Sequence, residues 1–90
     1  MTWQIELNAG AERTLEKLDK RIAKRIYAFL FLRLGKLDNP RLIGEALQGP
    51  RFGEFWKYRI GDYRILARIE DDILRVLVVK IGHRREVYER

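Results

Sequence analysis

The chain has no cysteine among its 90 residues, which excludes both a disulfide framework and a thiolate metal site. That absence fits a reducing compartment, and a cytoplasmic protein is expected. No cofactor is expected. The longest apolar run, Ile26-Tyr27-Ala28-Phe29-Leu30-Phe31-Leu32, is far short of the roughly 20 residues needed to cross a bilayer. The opening Met1-Thr2-Trp3-Gln4-Ile5-Glu6 lacks the basic start and long apolar stretch of a signal peptide. Internal repeats, low-complexity stretches and linker-like segments are also missing, so residues 1–90 are expected to form one domain.

What the chain does have is charge of one dominant sign and enough apolar matter for a modest core. Hydrophobic residues make up 47%, which at this size leaves a thin stability margin. Nineteen basic residues against thirteen acidic ones give a net charge of +6. Such a balance suits a polyanionic partner (nucleic acid, an acidic protein or anionic lipid), and equally a surface kept charged for solubility. Only the placement of the charges can separate these readings.

Trp3 to Leu7 alternates apolar Trp3, Ile5 and Leu7 with polar Gln4 and Glu6, the pattern of a half-buried strand. Asn8 can cap a following helix whose apolar positions are Ala11, Leu15 and Leu18 and whose outer face mixes both signs of charge. A break near Asp19 leads to a second helix, from about Lys20 to Leu37, with Ile22, Ile26, Phe29, Leu30 and Leu37 as its apolar stripe. Asp38-Asn39-Pro40 stops it. Arg41 to Gly53 reads as a loop with at most a short turn. Three strands follow: Phe55–Ile60, Tyr63–Ile69 and Ile73–Ile81, joined by Gly61-Asp62 and Glu70-Asp71-Asp72. The run Val76-Leu77-Val78-Val79 is apolar on both faces, which predicts a central strand. The expected fold is α+β: an N-terminal strand, a helical hairpin and a three-stranded antiparallel meander completing one sheet, with the hairpin on one face.

Strand alternation then sorts the cations. A two-residue Gly61-Asp62 loop sets Arg59 opposite Arg64, and an Asp71-Asp72 loop sets Arg68 opposite Arg75. One face therefore carries Lys57, Arg59, Arg64, Arg68 and Arg75, with Leu66, Leu77 and Val79 between them. The other carries Trp56, Tyr58, Ile60, Ile65, Ala67, Val76 and Val78, a floor for the helices. Like charges opposed across strands destabilise a sheet, a conflict expected where function overrides stability. A phosphate backbone laid across the face would relieve it; so would Glu54, Asp62 or Glu70 acting as neutralising partners, or splaying of the long stems into water.

The tail Gly82-His83-Arg84-Arg85-Glu86-Val87-Tyr88 adds more candidates. His83 follows the last strand through a glycine and can take or give a proton near neutral pH, or serve as an ordinary hydrogen-bonding side chain. Arg84 and Arg85 suit a phosphate clamp or a solvated tail, and Tyr88 suits base stacking or packing on the domain edge.

Leu47-Gln48-Gly49, then Trp56-Lys57-Tyr58-Arg59-Ile60-Gly61-Asp62-Tyr63-Arg64-Ile65, then Ile81-Gly82-His83-Arg84-Arg85-Glu86-Val87-Tyr88 resemble the RelE branch of the RelE/ParE toxin superfamily. The resemblance covers nearly the whole chain. It implies the toxin of a type II toxin–antitoxin pair, held by a RelB-like antitoxin in a hetero-oligomer, with no membrane partner. It further implies a metal-independent endoribonuclease that cuts messenger RNA in the ribosomal A site by attack of a ribose 2′-hydroxyl on the adjacent phosphate. By the same resemblance, Lys57 stands as general base, and repulsion from Arg59 and Arg64 would favour its neutral amine. Arg64 would hold the phosphate, Arg84 would stabilise the transition state or leaving group, and Tyr88 would stack on the messenger. Arg59 stands where the best-studied type has lysine and, being always protonated, can only bind charge. His83 also stands at a lysine position and is a candidate for proton transfer. Arg68, Arg75 and Arg85 complete the expected RNA-binding set. The superfamily leaves two alternatives open, a ParE-like inhibitor of DNA gyrase and a relative that binds antitoxin or RNA without catalysis.

Overall fold

The computed structural model describes residues 2–88, with Tyr88 described in its backbone only. A five-stranded sheet runs in the order β1-β5-β4-β3-β2, where β1 is Gln4–Leu7, β2 Glu45–Ala46, β3 Trp56–Ile60, β4 Tyr63–Glu70 and β5 Arg75–His83. β1 lies parallel to β5; the other neighbours are antiparallel. The apolar run in β5 occupies an interior position, as expected of a strand buried on both sides. The short edge strand β2 had no signal, because two exposed residues carry no periodicity.

Helix α1 (Ala9–Lys17) starts where Asn8 ends β1, and the Asn8 Oδ1 accepts the Ala11 N–H at 2.8 Å. Asp19 ends the connection by capping α2 (Lys20–Ala28), accepting from the Arg21 N–H at 2.9 Å. The chain does not continue as one helix to Leu37: a π-turn (Phe29–Arg33) and a 3₁₀ turn (Leu34–Lys36) follow. Ile26, Leu30 and Leu34 are spaced four apart and are all fully buried. Four-residue steps drift around a 3.6-residue helix, and the wider π-turn absorbs the drift. This is why Leu34, outside the expected stripe, faces the core. At the end of this segment Trp3 binds both the Gly35 carbonyl (backbone N–H, 2.8 Å) and the Asp38 carbonyl (Nε1, 3.0 Å).

The core lies between the helices and one sheet face, with Ala11, Ile26, Leu30 and Leu34 against Tyr58, Ile60, Ile65, Ala67, Val76, Val78 and Ile81. Tyr58 is wholly buried and donates its hydroxyl to the Pro40 carbonyl at 2.7 Å, and burial pushes its phenol well above the ordinary range. Arg41, one residue on, forms a two-pronged pair with Asp71 at 3.0 and 2.7 Å and lies 5.7 Å from the Trp56 ring centre, tying the loop to the β4–β5 turn.

Two features of register depart from simple alternation. The β4–β5 connection is a 3₁₀ turn, Asp71–Ile73, closed by Leu74 in a left-handed conformation (φ 50°). Glu70, not Arg68, therefore faces Arg75, and Arg68 faces Leu77. Further along, Leu66 pairs with Lys80 and Ala67 with Val78, which leaves Val79 unpaired in a β-bulge. Asn8 serves this bulge as well as α1: its backbone N–H donates to the Val78 carbonyl at 2.9 Å and its Nδ2 to the Val79 carbonyl at 3.1 Å.

Two expectations follow. Tyr58→Phe leaves the Pro40 carbonyl unpaired in the core and lowers unfolding free energy by about 1–3 kcal/mol in urea titrations. Asn8→Ala removes both the cap and the bulge donor and costs about 1–2 kcal/mol, whereas Asn8→Asp keeps the cap acceptor and loses less. Equal losses for the two Asn8 variants would mean that the cap acceptor contributes nothing and that the amide donor to Val79 carries the whole effect.

Candidate RNA-binding site

Paired residues on adjacent strands share a face, so the register lays out the side opposite the helices row by row. At the β3–β4 turn the first row is Arg59, Arg64 and Gly82. The second is Glu45, Lys57, Leu66 and Lys80. Beyond the bulge come Arg68, Leu77 and Glu6, then Glu70, Arg75 and Gln4. The expected pairing of Arg59 with Arg64 is present, and Lys57 lies on their face.

The Gly61-Asp62 connection is the tight two-residue loop that the pattern predicts, with Gly61 at φ 58°. Its carbonyls organise the cations around it. Arg64 turns one guanidinium nitrogen back to the Gly61 and Tyr63 carbonyls, each at 3.0 Å. The Asp62 carbonyl accepts the Arg84 backbone N–H at 2.8 Å. Arg59 stays exposed, and among the described residues neither Arg59 nor Arg64 is paired with a carboxylate. The opposed arginines thus separate by pinning one to backbone oxygen. Among the described residues neither Glu54 nor Asp62 takes the neutralising role, and Glu70 takes it for Arg75 but not for Arg59 or Arg64.

The C-terminal turn Glu86–Tyr88 folds back against β4 and β5 on this side. Val87 is fully buried there: a Cβ added to Gly82 would lie 3.2 Å from its Cα and N, so glycine lets the turn seat. Leu66 is also buried (1% exposed), and neither it nor Val87 belongs to the core beneath the helices. The turn thereby returns the chain to the cationic face. Arg84 and Arg85 are exposed beside it. The Tyr88 side chain, with its expected stacking role, lies outside the described residues.

Several expected members sit differently. Arg75 is not free for RNA: it pairs with Glu70 through Nε and with Glu6 through Nη1 at 2.6 Å. The hydrogen bond from Arg75 holds the Glu70 carboxyl below the usual range, as that from Arg41 does for Asp71. Arg68 remains exposed but flanks this acidic end of the sheet. Val79 is not a spacer on the cationic face, because the bulge removes it from alternation. The same shift turns His83 toward the helix side, opposite Tyr63, with ring centres 5.6 Å apart in a T-shaped contact, in a cleft lined also by Thr14 of α1, by Leu18 just after it, and by Lys80, Gly82 and Glu86. By strand alternation the His83 side chain faces away from the row holding Arg59 and Arg64. Lys57 does not face cations alone: its ammonium meets the Glu45 Oε1 at 3.1 Å. So paired it is a donor only.

Lys80 is the member that strand alternation missed. It joins the row of Lys57 because the bulge inverts phase within an apolar run, where no polar residue marks the change. Among the described residues, no group of three or more His, Cys, Asp or Glu side chains could hold a metal ion, and no helix is long and apolar enough to cross a membrane.

A family model described as the ParE toxin of the type II toxin–antitoxin system parDE matches residues 5–88. Toxin RelG of Mycobacterium tuberculosis is 32% identical over 90 residues, covering 100% of both chains. Toxin RelE of the same organism is 33% identical over 86 residues, 96% of this chain and 86% of that protein. A chain of the toxin–antitoxin complex RelBE2 from M. tuberculosis superposes with a TM-score of 0.84 at 28% identity, covering 93% of each chain. A double arginine-to-alanine mutant of Escherichia coli toxin RelE, in the free state, shares the fold at a TM-score of 0.75 and 21% identity, covering 98% of this chain and 92% of that one.

The pairing of Arg75 with two carboxylates makes a specific expectation. Arg75→Gln leaves affinity for single-stranded RNA within about twofold of wild type. It also lessens acid sensitivity. A carboxyl held low in the fold contributes stability above its unfolded range and loses it as pH falls through its folded range, so wild-type stability drops on acidification. The drop is smaller in Arg75→Gln, as chemical denaturation at neutral and acidic pH will register. A large loss of RNA affinity in this variant would place Arg75 back in the site.

Proposed function

We propose that this chain, which belongs to the RelE/ParE family of type II toxin–antitoxin toxins, is a ribosome-dependent endoribonuclease that cleaves messenger RNA in the A site without a metal. The observation that carries this reading is the row of cations at the β3–β4 turn, Arg59 opposite Arg64 with no carboxylate partner among the described residues, with Lys57 and Lys80 in the next row and the Arg84 backbone bound to the same turn. A face of this kind suits a phosphodiester.

In the proposed reaction a ribose 2′-oxygen loses its proton and bonds to the adjacent phosphorus. The bond from phosphorus to the 5′-oxygen breaks, and that oxygen takes up a proton. The products are a 2′,3′-cyclic phosphate and a free 5′-hydroxyl. Arg64 is preorganised for the phosphorane: two carbonyls fix one guanidinium nitrogen and leave its remaining N–H groups for the anionic oxygens. Arg59 adds permanent charge beside it. Lys57, the base by family resemblance, must first give up Glu45 and a proton, so substrate binding and release of that ion pair belong to one step. Arg84 supports the leaving oxygen, and Tyr88 orients the base. His83, paired with Tyr63 and facing away from Arg59 and Arg64, is given no part in the scheme. A RelB-like antitoxin holds the toxin in a cytoplasmic hetero-oligomer.

Cleavage of a defined messenger on purified ribosomes tests this. Lys57→Ala and Arg64→Ala each lower the rate by about 10²-fold or more, His83→Ala stays near wild type, and a chelator has no effect. Unaltered cutting in the Lys57 and Arg64 variants removes their roles. Because the matching family model bears the ParE description, a supercoiling assay runs in parallel. Inhibition of gyrase with messenger left intact would replace the nuclease by the ParE-like activity, and neither effect would leave a binding protein without catalysis.

A further inference from the structure

A second group of cations lies around the β3 edge from the face just described. β2 covers β3 only at Trp56 and Lys57, so from Tyr58 onward the outer edge has no strand partner among the described residues. Between that edge and α2 with its π-turn runs a groove lined by Arg25, Ala28, Phe29, Arg33, Arg59 and Ile60. Phe29, Arg33 and Arg59 also line the adjoining cleft, of about 330 Å³, that contains Lys57 and Glu45. The groove is thus continuous with the Lys57 row, and Arg59 belongs to both.

Its cations are exposed and, among the described residues, Arg25, Arg33 and Arg59 are in no ion pair with a carboxylate. Arg33 rests over the half-buried Phe29 ring at 5.9 Å. Arg25 reaches the β3–β4 turn, where a Cβ on Gly61 would come within 3.0 Å of its Nη1. Acids bound the track rather than interrupt it: Glu45 at the Lys57 end, and Asp62 in the next cleft past Gly61. Arg25 and Arg33 are eight positions apart on one helical segment, roughly 12 Å along its axis, a span longer than one phosphate.

The geometry points to a second RNA contact: the groove between α2 and the free edge of β3 takes phosphodiesters flanking the one bound at Arg64, through Arg25, Arg33 and Arg59. This rests on the nucleic-acid reading of the cationic face, though not on cleavage. Three guanidiniums, planar and permanently charged, suit phosphate better than they suit a mixed protein surface. The flanking phosphates could belong to the strand that is cut or to ribosomal RNA.

The test measures binding, not cutting. Wild type, Arg25→Gln/Arg33→Gln, Arg25→Lys/Arg33→Lys and Arg64→Gln are titrated across salt with a trinucleotide and a dodecanucleotide of 2′-O-methyl RNA, and separately with ribosomes whose A site is vacant. Circular dichroism checks each fold. The double glutamine variant is expected to bind the longer RNA about tenfold more weakly, with its salt slope reduced by about 1.4, two contacts at roughly 0.7 each. The trinucleotide is little affected and the double lysine variant keeps the slope. Loss with the dodecanucleotide assigns the groove to the cut strand; loss with ribosomes alone assigns it to ribosomal RNA. Either supports the inference. If Arg64→Gln weakens binding and the double glutamine variant binds both targets like wild type, the groove is not an RNA site, while the function proposed above stands. If wild type binds neither RNA nor ribosome, both readings fall together.

Discussion

Arg59 and Arg64 repel each other, yet the pairing of β3 with β4 holds them in direct opposition, and the cationic face depends on that pairing. What prevents escape is the other side of the same strands. Tyr58, Ile60, Ile65 and Ala67 are buried beneath the helices, and a one-residue slip would turn them to water while sending the cations into the core. The apolar floor therefore enforces the electrostatic conflict above it. The Gly61 turn reinforces the register and supplies the carbonyls that draw the Arg64 guanidinium back.

Charge on this face is graded from end to end. Near the β3–β4 turn the rows contain Lys57, Arg59, Arg64 and Lys80, with Glu45 the acid among them. Beyond the bulge Arg75 is absorbed by Glu6 and Glu70. Formal counting along the strands makes the face uniformly basic, whereas the structure concentrates available positive charge in one half, leaves only Arg68 exposed beside the carboxylates of the other, and carries the charge around the β3 edge toward Arg25 and Arg33. A polyanion is thus offered a bounded footprint instead of a diffuse field.

The bulge at Val79 does most to decide which side chains can cooperate. One unpaired residue exchanges the faces of everything after it, bringing Lys80 to the cationic side and sending His83 toward α1. It also leaves a carbonyl for Asn8, the residue that caps α1, so the start of the helical layer and the phase of β5 share one side chain. Gly82 then lets the C-terminal turn sit over the strands, which returns the tail to the face that His83 leaves.

Local rules made much of this readable from the chain. Period-two alternation located β1, β3 and β4 and assigned Lys57, Arg59 and Arg64 to one face. Asn8 and Asp19 marked the helix starts, and Gly61-Asp62 set the hairpin, because each of these depends on neighbours a few positions away. The remainder depended on long-range contacts. Glu45 reaches Lys57 only when a two-residue strand docks on the sheet edge, and Glu6 meets Arg75 across the parallel pairing of the chain's two ends. In the Val76–Val79 run every residue is apolar, so a lost phase leaves no trace in composition. Only the packed sheet, with the Asn8 amide waiting at the Val79 carbonyl, decides where alternation breaks and therefore on which side His83 emerges.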